Sequence, residues 1–301
     1  MRRVITVITL ASAFLTGQAF AGQWTTPVPV ASGINSQYVE ATPFLSSDGL
    51  SLYFSRQYGL GPAMGPAFSI YEAKRSQPSG DFMPATLVYY YTYTSLMHPW
   101  VSPDNLRMYY VAEVGSTQYP VRMARRGSDD QWYESNFVYG LPSGIINETL
   151  SQDELTMVYD ISNGSNAWDL YIASRTDRNS AFGNIRNLSE INTSFSDNSP
   201  SLSPDGLSLY FSSDRNGLRQ IFEATRQSLN DPFGNLQHLT AFDSPAGATW
   251  PSISSDGTSL YFSYGGSNPD IYVSYLVPEP ATILLLGLGA AMINKKAKIK
   301  M

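Results

Sequence analysis

"SPDGLSLYFSSDRNG", residues 203–217, sets Asp205 between a proline and a glycine, just ahead of an apolar run. The stretch has four relatives. "SSDGLSLYFSR" stands at 46–56, "SPDNLRMYYVA" at 102–112, "SQDELTMVYDI" at 151–161 and "SSDGTSLYFSY" at 254–264. The aspartate recurs as Asp48, Asp104, Asp153, Asp205 and Asp256, in steps of 56, 49, 52 and 51 residues. A fixed period of this size marks a repeat architecture with one supersecondary unit per copy.

The unit has four strands. A small or apolar segment, such as "TPFLS" or "SPSLS", leads into each aspartate as strand A. The run beyond the turn is strand B. Strand C alternates and ends in a base in four copies ("SIYEAKR", "PVRMARR", "DLYIASR", "QIFEATR"), but not in the fifth, "DIYVSYL". Strand D opens on an aromatic, as in "GDFMPATLV" and "PFGNLQHLT". Tyr, Phe, Ile, Leu and Val fill these runs, with Gly, Asn, Asp, Ser and Pro between them. Four antiparallel strands per period make the blade of a β-propeller. Five copies predict an all-β, five-bladed β-propeller over residues 22–276. The fifth copy lacks strand D, and "GQWTTPVPV" (22–30) has its aromatic and its alternation. The N-terminal strand is therefore expected to complete the last blade and close the ring, which leaves no open sheet edge.

The core of the repeat, Pro-x-apolar-Ser-Pro-Asp-Gly followed by alternating apolar residues, resembles the TolB-type, WD40-like propeller repeat. The resemblance spans about residues 24–276 and is strongest in the first, fourth and fifth copies. Asn105 replaces the glycine in the second. The third carries Gln152, Asp153 and Glu154 and lacks the strand A proline, which leaves its turn open to question. The motif implies a fold, found in many binding and scaffolding proteins, and not an activity.

Both ends read as export signals. Arg2 and Arg3, the apolar run Val4 to Leu15 and the small residues of Ala19-Phe20-Ala21 form a signal peptide over residues 1–21, cut by signal peptidase after Ala21. At the other end, Pro278-Glu279-Pro280 precede a run of 13 apolar residues, Ala281 to Ile293, and a lysine-rich tail. That run is short for a stable span, which needs about 20. Residues 277–301 resemble the bacterial PEP-CTERM sorting signal. The resemblance implies transient anchoring in the inner membrane, processing by an exosortase and release to the cell surface or an exopolysaccharide matrix. Membrane contact is expected only through this segment.

Six of the 19 basic residues lie in the two ends, which leaves 13 against 25 acidic residues. An acidic chain is a poor partner for nucleic acid. There is no cysteine, so neither disulfides nor thiolate chemistry are available. His98 and His238 are the only histidines, which excludes a histidine-rich metal site. No Gly-rich phosphate loop and no Gly-x-Ser-x-Gly elbow occurs. No cofactor and no metal is expected.

An aspartate at a turn bonds to N–H groups just beyond it, and a following Gly or Asn takes positive φ. A catalytic acid is expected once or twice, not in every blade. The five aspartates are therefore assigned to A–B corners. The B–C and D–A loops share the opposite end, where sequence variation collects. There "YYYTYTSLMHPW" (89–100) concentrates aromatic surface, and "SSDRNG" (212–217) adds polar groups. Tyr89, Tyr91, Tyr93, His98, Asp214 and Arg215 are the candidate ligand-binding residues, for a protein or polysaccharide partner. Trp100 and Trp250 fit packing roles. The preferred expectation is a non-catalytic binding or scaffold domain. The alternative is a glycoside hydrolase with carboxylates at the channel mouth, because five-bladed propellers include arabinanase-type glycosidases. Its candidate acids are Glu40 and Asp197, each three residues before a proline, with Glu148, Asp160, Asp214 and Asp243 as further options.

Overall fold

The five corners repeat one bonding scheme. In each, aspartate Oδ1 accepts from the serine Oγ two residues earlier, at 2.5–2.6 Å. It also accepts from the backbone N–H two residues later, at 2.9–3.1 Å. The serine oxygen in turn accepts the N–H that opens strand B, at 2.8–3.0 Å. The residue after the aspartate takes φ of 57–70° whether it is Gly49, Asn105, Glu154, Gly206 or Gly257. The third corner is thus formed like the others. There Arg107 forks onto the Glu154 carboxylate at 2.7–3.1 Å, and Tyr109 Oη donates to it at 2.8 Å. These bonds offset the cost of a left-handed glutamate.

The computed structural model describes residues 23–277, apart from 31–32, 60–65, 90–94, 114–120, 166 and 267. The expected signal peptide, the Pro278-Glu279-Pro280 sorting segment, Tyr91 and Tyr93 lie outside the described residues. Blade 1 is built from Glu40–Leu45, Ser51–Gly59, Pro66–Lys74 and Thr86–Tyr89. Blade 2 is Leu96–Val101, Arg107–Ala112, Val121–Arg126 and Trp132–Phe137. Blade 3 is Ile145–Leu150, Thr156–Ser162, Trp168–Ser174 and Gly183–Asn187. Blade 4 is Asp197–Leu202, Ser208–Ser213, Gln220–Thr225 and Gly234–His238. Blade 5 takes Ala248–Ile253, Ser259–Tyr264 and Asp270–Val277, and its outer strand comes from Gln23–Trp24 and Val28–Pro29. Val28 pairs with Val273 and Pro29 with Tyr272, so the N-terminal strand completes the last blade as its pattern predicts. The helical content among the described residues is one 3₁₀ turn, Thr240–Phe242.

Strand A of each blade touches strand A of the next all the way round, blade 5 to blade 1 included. These inner strands are almost wholly buried, whereas strands D of blades 3 and 4 are largely exposed. The core sits between the blades. Strand B places alternate residues on opposite faces. Tyr53 therefore packs toward blade 2 while its neighbour Phe54 packs toward blade 5. The base that ends strand C also has a shared role. Arg75, Arg175 and Arg226 donate through Nε to the carbonyls of Gly49, Glu154 and Gly206, at 2.6–2.8 Å. Each guanidinium lies 4.4–4.5 Å from the ring centre of the strand D aromatic, Phe82, Phe182 or Phe233.

Candidate binding face and channel

Every inner strand carries a bulge near its start, where the register of pairing with strand B slips. In four blades the bulge is a left-handed residue before a proline. Thr42, His98, Ser199 and Trp250 have φ of 53–58° and precede Pro43, Pro99, Pro200 and Pro251. Such backbone is costly and persists where surrounding contacts over-determine it. At His98 and Ser199 polar side chains of the preceding blade hold it. His98 N donates to Thr42 Oγ1 at 3.3 Å, and Ser199 N donates to Asp160 Oδ2 at 2.7 Å. One step along, Leu202 N donates to Thr149 Oγ1 at 3.3 Å, and Ile253 N to Ser201 Oγ at 3.1 Å. The small polar residues of strand A are thereby explained as ties between blades.

The bulges surround a channel cavity of about 40 Å³, lined among others by Thr42, His98, Glu148, Ser199 and Trp250. That is room for a few water molecules and not for a sugar ring. Blade 3 differs from the other four. Glu148 stands where they have proline, and Asp160 stands where blades 1, 4 and 5 have Ser55, Ser212 and Ser263. Glu148 is 6 % exposed and neither of its carboxylate oxygens has a hydrogen-bond partner. Burial first, and then the neighbouring charge of Asp160, raise its pKa well above the ordinary range. Asp160 is held by the side-chain amide and N–H of Asn147 and by Ser199 N. Burial outweighs these bonds and lifts its pKa to about 7. Burial lowers that of His98 to about 3, which keeps the imidazole neutral at pH 7.

The two acids singled out for the channel mouth serve elsewhere. Glu40 and Asp197 are fully buried, and neither lines the cavity. Glu40 accepts Arg56 Nε at 2.7 Å, Ser36 N at 3.0 Å and Ser36 Oγ at 2.5 Å. Asp197 accepts Arg215 Nη2, Thr193 N at 2.6 Å and Thr193 Oγ1 at 2.8 Å. Each arginine also donates to a backbone carbonyl, Ile34 at 2.6 Å or Ile191 at 2.9 Å. Arg56 stacks near Phe54 and Tyr71, and Arg215 near Phe211 and Phe222. These are two copies of one clamp, which pins the connector ahead of strand A to the end of strand B. Arg215, a candidate ligand contact in the sequence, is consumed by it.

Of the other candidates, Asp214 Oδ1 accepts Ser196 N at 2.8 Å. Tyr89 ends strand D of blade 1. Asp243 Oδ1 meets His238 Nε2 at 2.8 Å and does not line the channel cavity. Trp100 packs between blades 2 and 3, as expected. Trp250 is half-buried and borders both the channel cavity and a second cavity of about 390 Å³ between blades 4 and 5. Asp214 and Arg219 also line that second cavity. Arg219 carried no signal in the sequence. Glu148 carried one, the missing proline of the third copy. Among the described residues no group of three or more His, Asp or Glu side chains is placed to hold a metal ion.

No family model matches the chain, and no curated protein matches it. Its fold has solved relatives. The endo-arabinase of Bacteroides thetaiotaomicron is 10% identical over 87% of this chain and 99% of its own, with a TM-score of 0.59. A family 117 glycoside hydrolase from the marine bacterium Zobellia galactanivorans is 12% identical over 86% and 93%, also at 0.59. A protein described as TolB from Agrobacterium tumefaciens is 19% identical over 79% and 77%, at 0.49. At these identities the likeness is one of fold: this chain is a five-bladed β-propeller.

Proposed function

We propose that this chain is an exported, surface- or matrix-associated propeller that binds a protein or polysaccharide at the face of its B–C and D–A loops and does not cleave it. One observation carries the reading. Glycoside hydrolysis needs two carboxyl groups on either side of the scissile bond. Here Glu40 and Asp197 are spent in arginine clamps, and Glu148 and Asp160 lie on neighbouring strands of a single blade. The channel cavity itself is also too small for a sugar ring. Export rests on the two terminal patterns, and mass spectrometry of the mature ends tests it.

The hydrolase reading retains one observation in its favour. A buried, unpartnered carboxyl with its pKa raised above the ordinary range is what a general acid requires, and Glu148 has that character. A screen on arabinan, xylan and levan, run with the native chain and Glu148→Gln, decides between the two. Binding without hydrolysis is the expected result. Turnover that disappears in E148Q overturns the proposal. Binding that survives Tyr89→Ala, Tyr91→Ala and Tyr93→Ala together would remove those tyrosines from the site.

A further inference from the structure

The cavity between blades 4 and 5 opens beside the channel mouth. Asp214, Leu218, Arg219, Gly247, Thr249, Trp250 and Gly266 line it. Its volume of about 390 Å³ falls in the range of small-ligand sites. Two of its side chains stand out. Trp250 stands on its left-handed bulge before Pro251, with the His98 ring 6.5 Å away, and stays partly exposed. Arg219 differs from Arg56, Arg75, Arg107, Arg175, Arg215 and Arg226, whose guanidinium groups are all engaged. Its own makes no hydrogen bond or ion pair with any described residue. Its charge acts on Asp160.

A half-buried guanidinium without a partner is a fork-shaped site for a carboxylate. A rigid aromatic face beside it offers apolar surface to the C–H groups of a ring. From this pairing we infer that the cavity takes an acidic sugar residue, a pyranose whose carboxylate meets Arg219 while its ring lies against Trp250. Asp214 has lone pairs left beyond its bond to Ser196 N and sits where ring hydroxyls can donate to it. The net charge of −6 repels a polyanion at long range, but salt at physiological strength screens that repulsion beyond about 8 Å. The inference rests on the binding reading of this face and names its ligand class.

Calorimetric titration of the mature protein with hexagalacturonate, and with xylohexaose as the neutral control, tests it. Hexagalacturonate is expected to bind more tightly, with an affinity that falls as salt rises. Arg219→Gln should weaken it by about tenfold or more and remove the salt dependence, with Arg219→Lys intermediate because it keeps the charge and loses the fork. Trp250→Ala should weaken both probes, and Trp250→Phe should restore much of the loss. Urea unfolding of each variant separates lost contacts from lost fold. Equal binding of the two probes, or an unchanged R219Q, overturns the acidic-sugar inference and leaves the binding reading in place. Cleavage of either probe overturns the binding reading itself, and binding of neither overturns the inference.

Discussion

Glu148 and Asp160 are buried side by side on neighbouring strands of blade 3, Glu148 paired across the ladder with Tyr159 and Asp160 next in line. Both hold their protons more tightly in the folded chain than in the unfolded one. Folding therefore takes up protons above pH 4, and the stability they confer at low pH is lost as pH rises. For Asp160 the loss runs from about pH 4 to about pH 7, and Glu148 adds a loss of the same sign. Glu148→Gln should match the native chain at pH 4.5 and exceed it at pH 8, by about 1–2 kcal/mol or more. Urea midpoints at the two pH values check this, and equal midpoints at pH 8 would contradict it. His98 acts with the opposite sign, since it stays neutral down to about pH 3 and costs stability as pH falls below 6.5.

The Asp197–Arg215 clamp predicts an asymmetry. Arg215→Met leaves a fully buried carboxylate without its cation and should cost about 3–5 kcal/mol. Asp197→Leu with Arg215→Met removes both charges, so the double variant should lose less than R215M alone. A double-mutant cycle by chemical denaturation measures this. A double variant as unstable as the sum of the singles would show that the pair is not an isolated unit.

Asp205 is predicted to matter for stability alone. Asp205→Ala removes the acceptor of Leu207 N and Ser203 Oγ and should cost about 1–3 kcal/mol. Asp205→Asn should recover part of this, because its side-chain oxygen still accepts one bond. Ligand titrations of both variants should match the native chain, since the corner lies at the opposite end of the blade from Trp250.

Glu154→Gly tests whether a turn can be relaxed and still be weakened. Glycine suits φ of 66° better by about 1 kcal/mol. The substitution also frees Arg107, which is 9 % exposed, and Tyr109 Oη from their shared acceptor. The expected outcome is a net loss of about 1 kcal/mol or more in urea unfolding, because Arg107 keeps its pair with Asp104 but loses its fork onto the buried carboxylate, which outweighs the backbone relief.

The fold was legible because five copies of one corner outvote any single departure. Asn105 and Glu154 alter the glycine of the motif, yet the serine and aspartate that bond the corner remain in place in both. The strand at 22–30 could be placed because a ring with a missing strand needs an extra one elsewhere. The site was less legible. Glu40 and Asp197 sit at the start of strand A, as mouth acids would, but their partners lie 16 and 18 residues downstream, at the end of strand B. Aligning the copies sets Glu40 beside Asp197, but Arg56 falls beside Ser213, two residues short of Arg215, so the shared clamp does not show in the aligned sequence. Arg219 could not be found either, because nothing in the sequence tells an engaged arginine from an open one.

The outer strand of blade 5 has a consequence for the order of assembly. Thr25 bonds to Ser274 and Tyr275 across about 250 positions of chain. During synthesis the first strand to emerge is the last to find its partner. Blades 1 to 4 have all their strands in hand before residue 270 exists, whereas the seal waits for the final stretch. Contacts this far apart form slowly. The unsealed chain carries two raw edges, one at each end of the row of blades, and passes through its most aggregation-prone state just before completion.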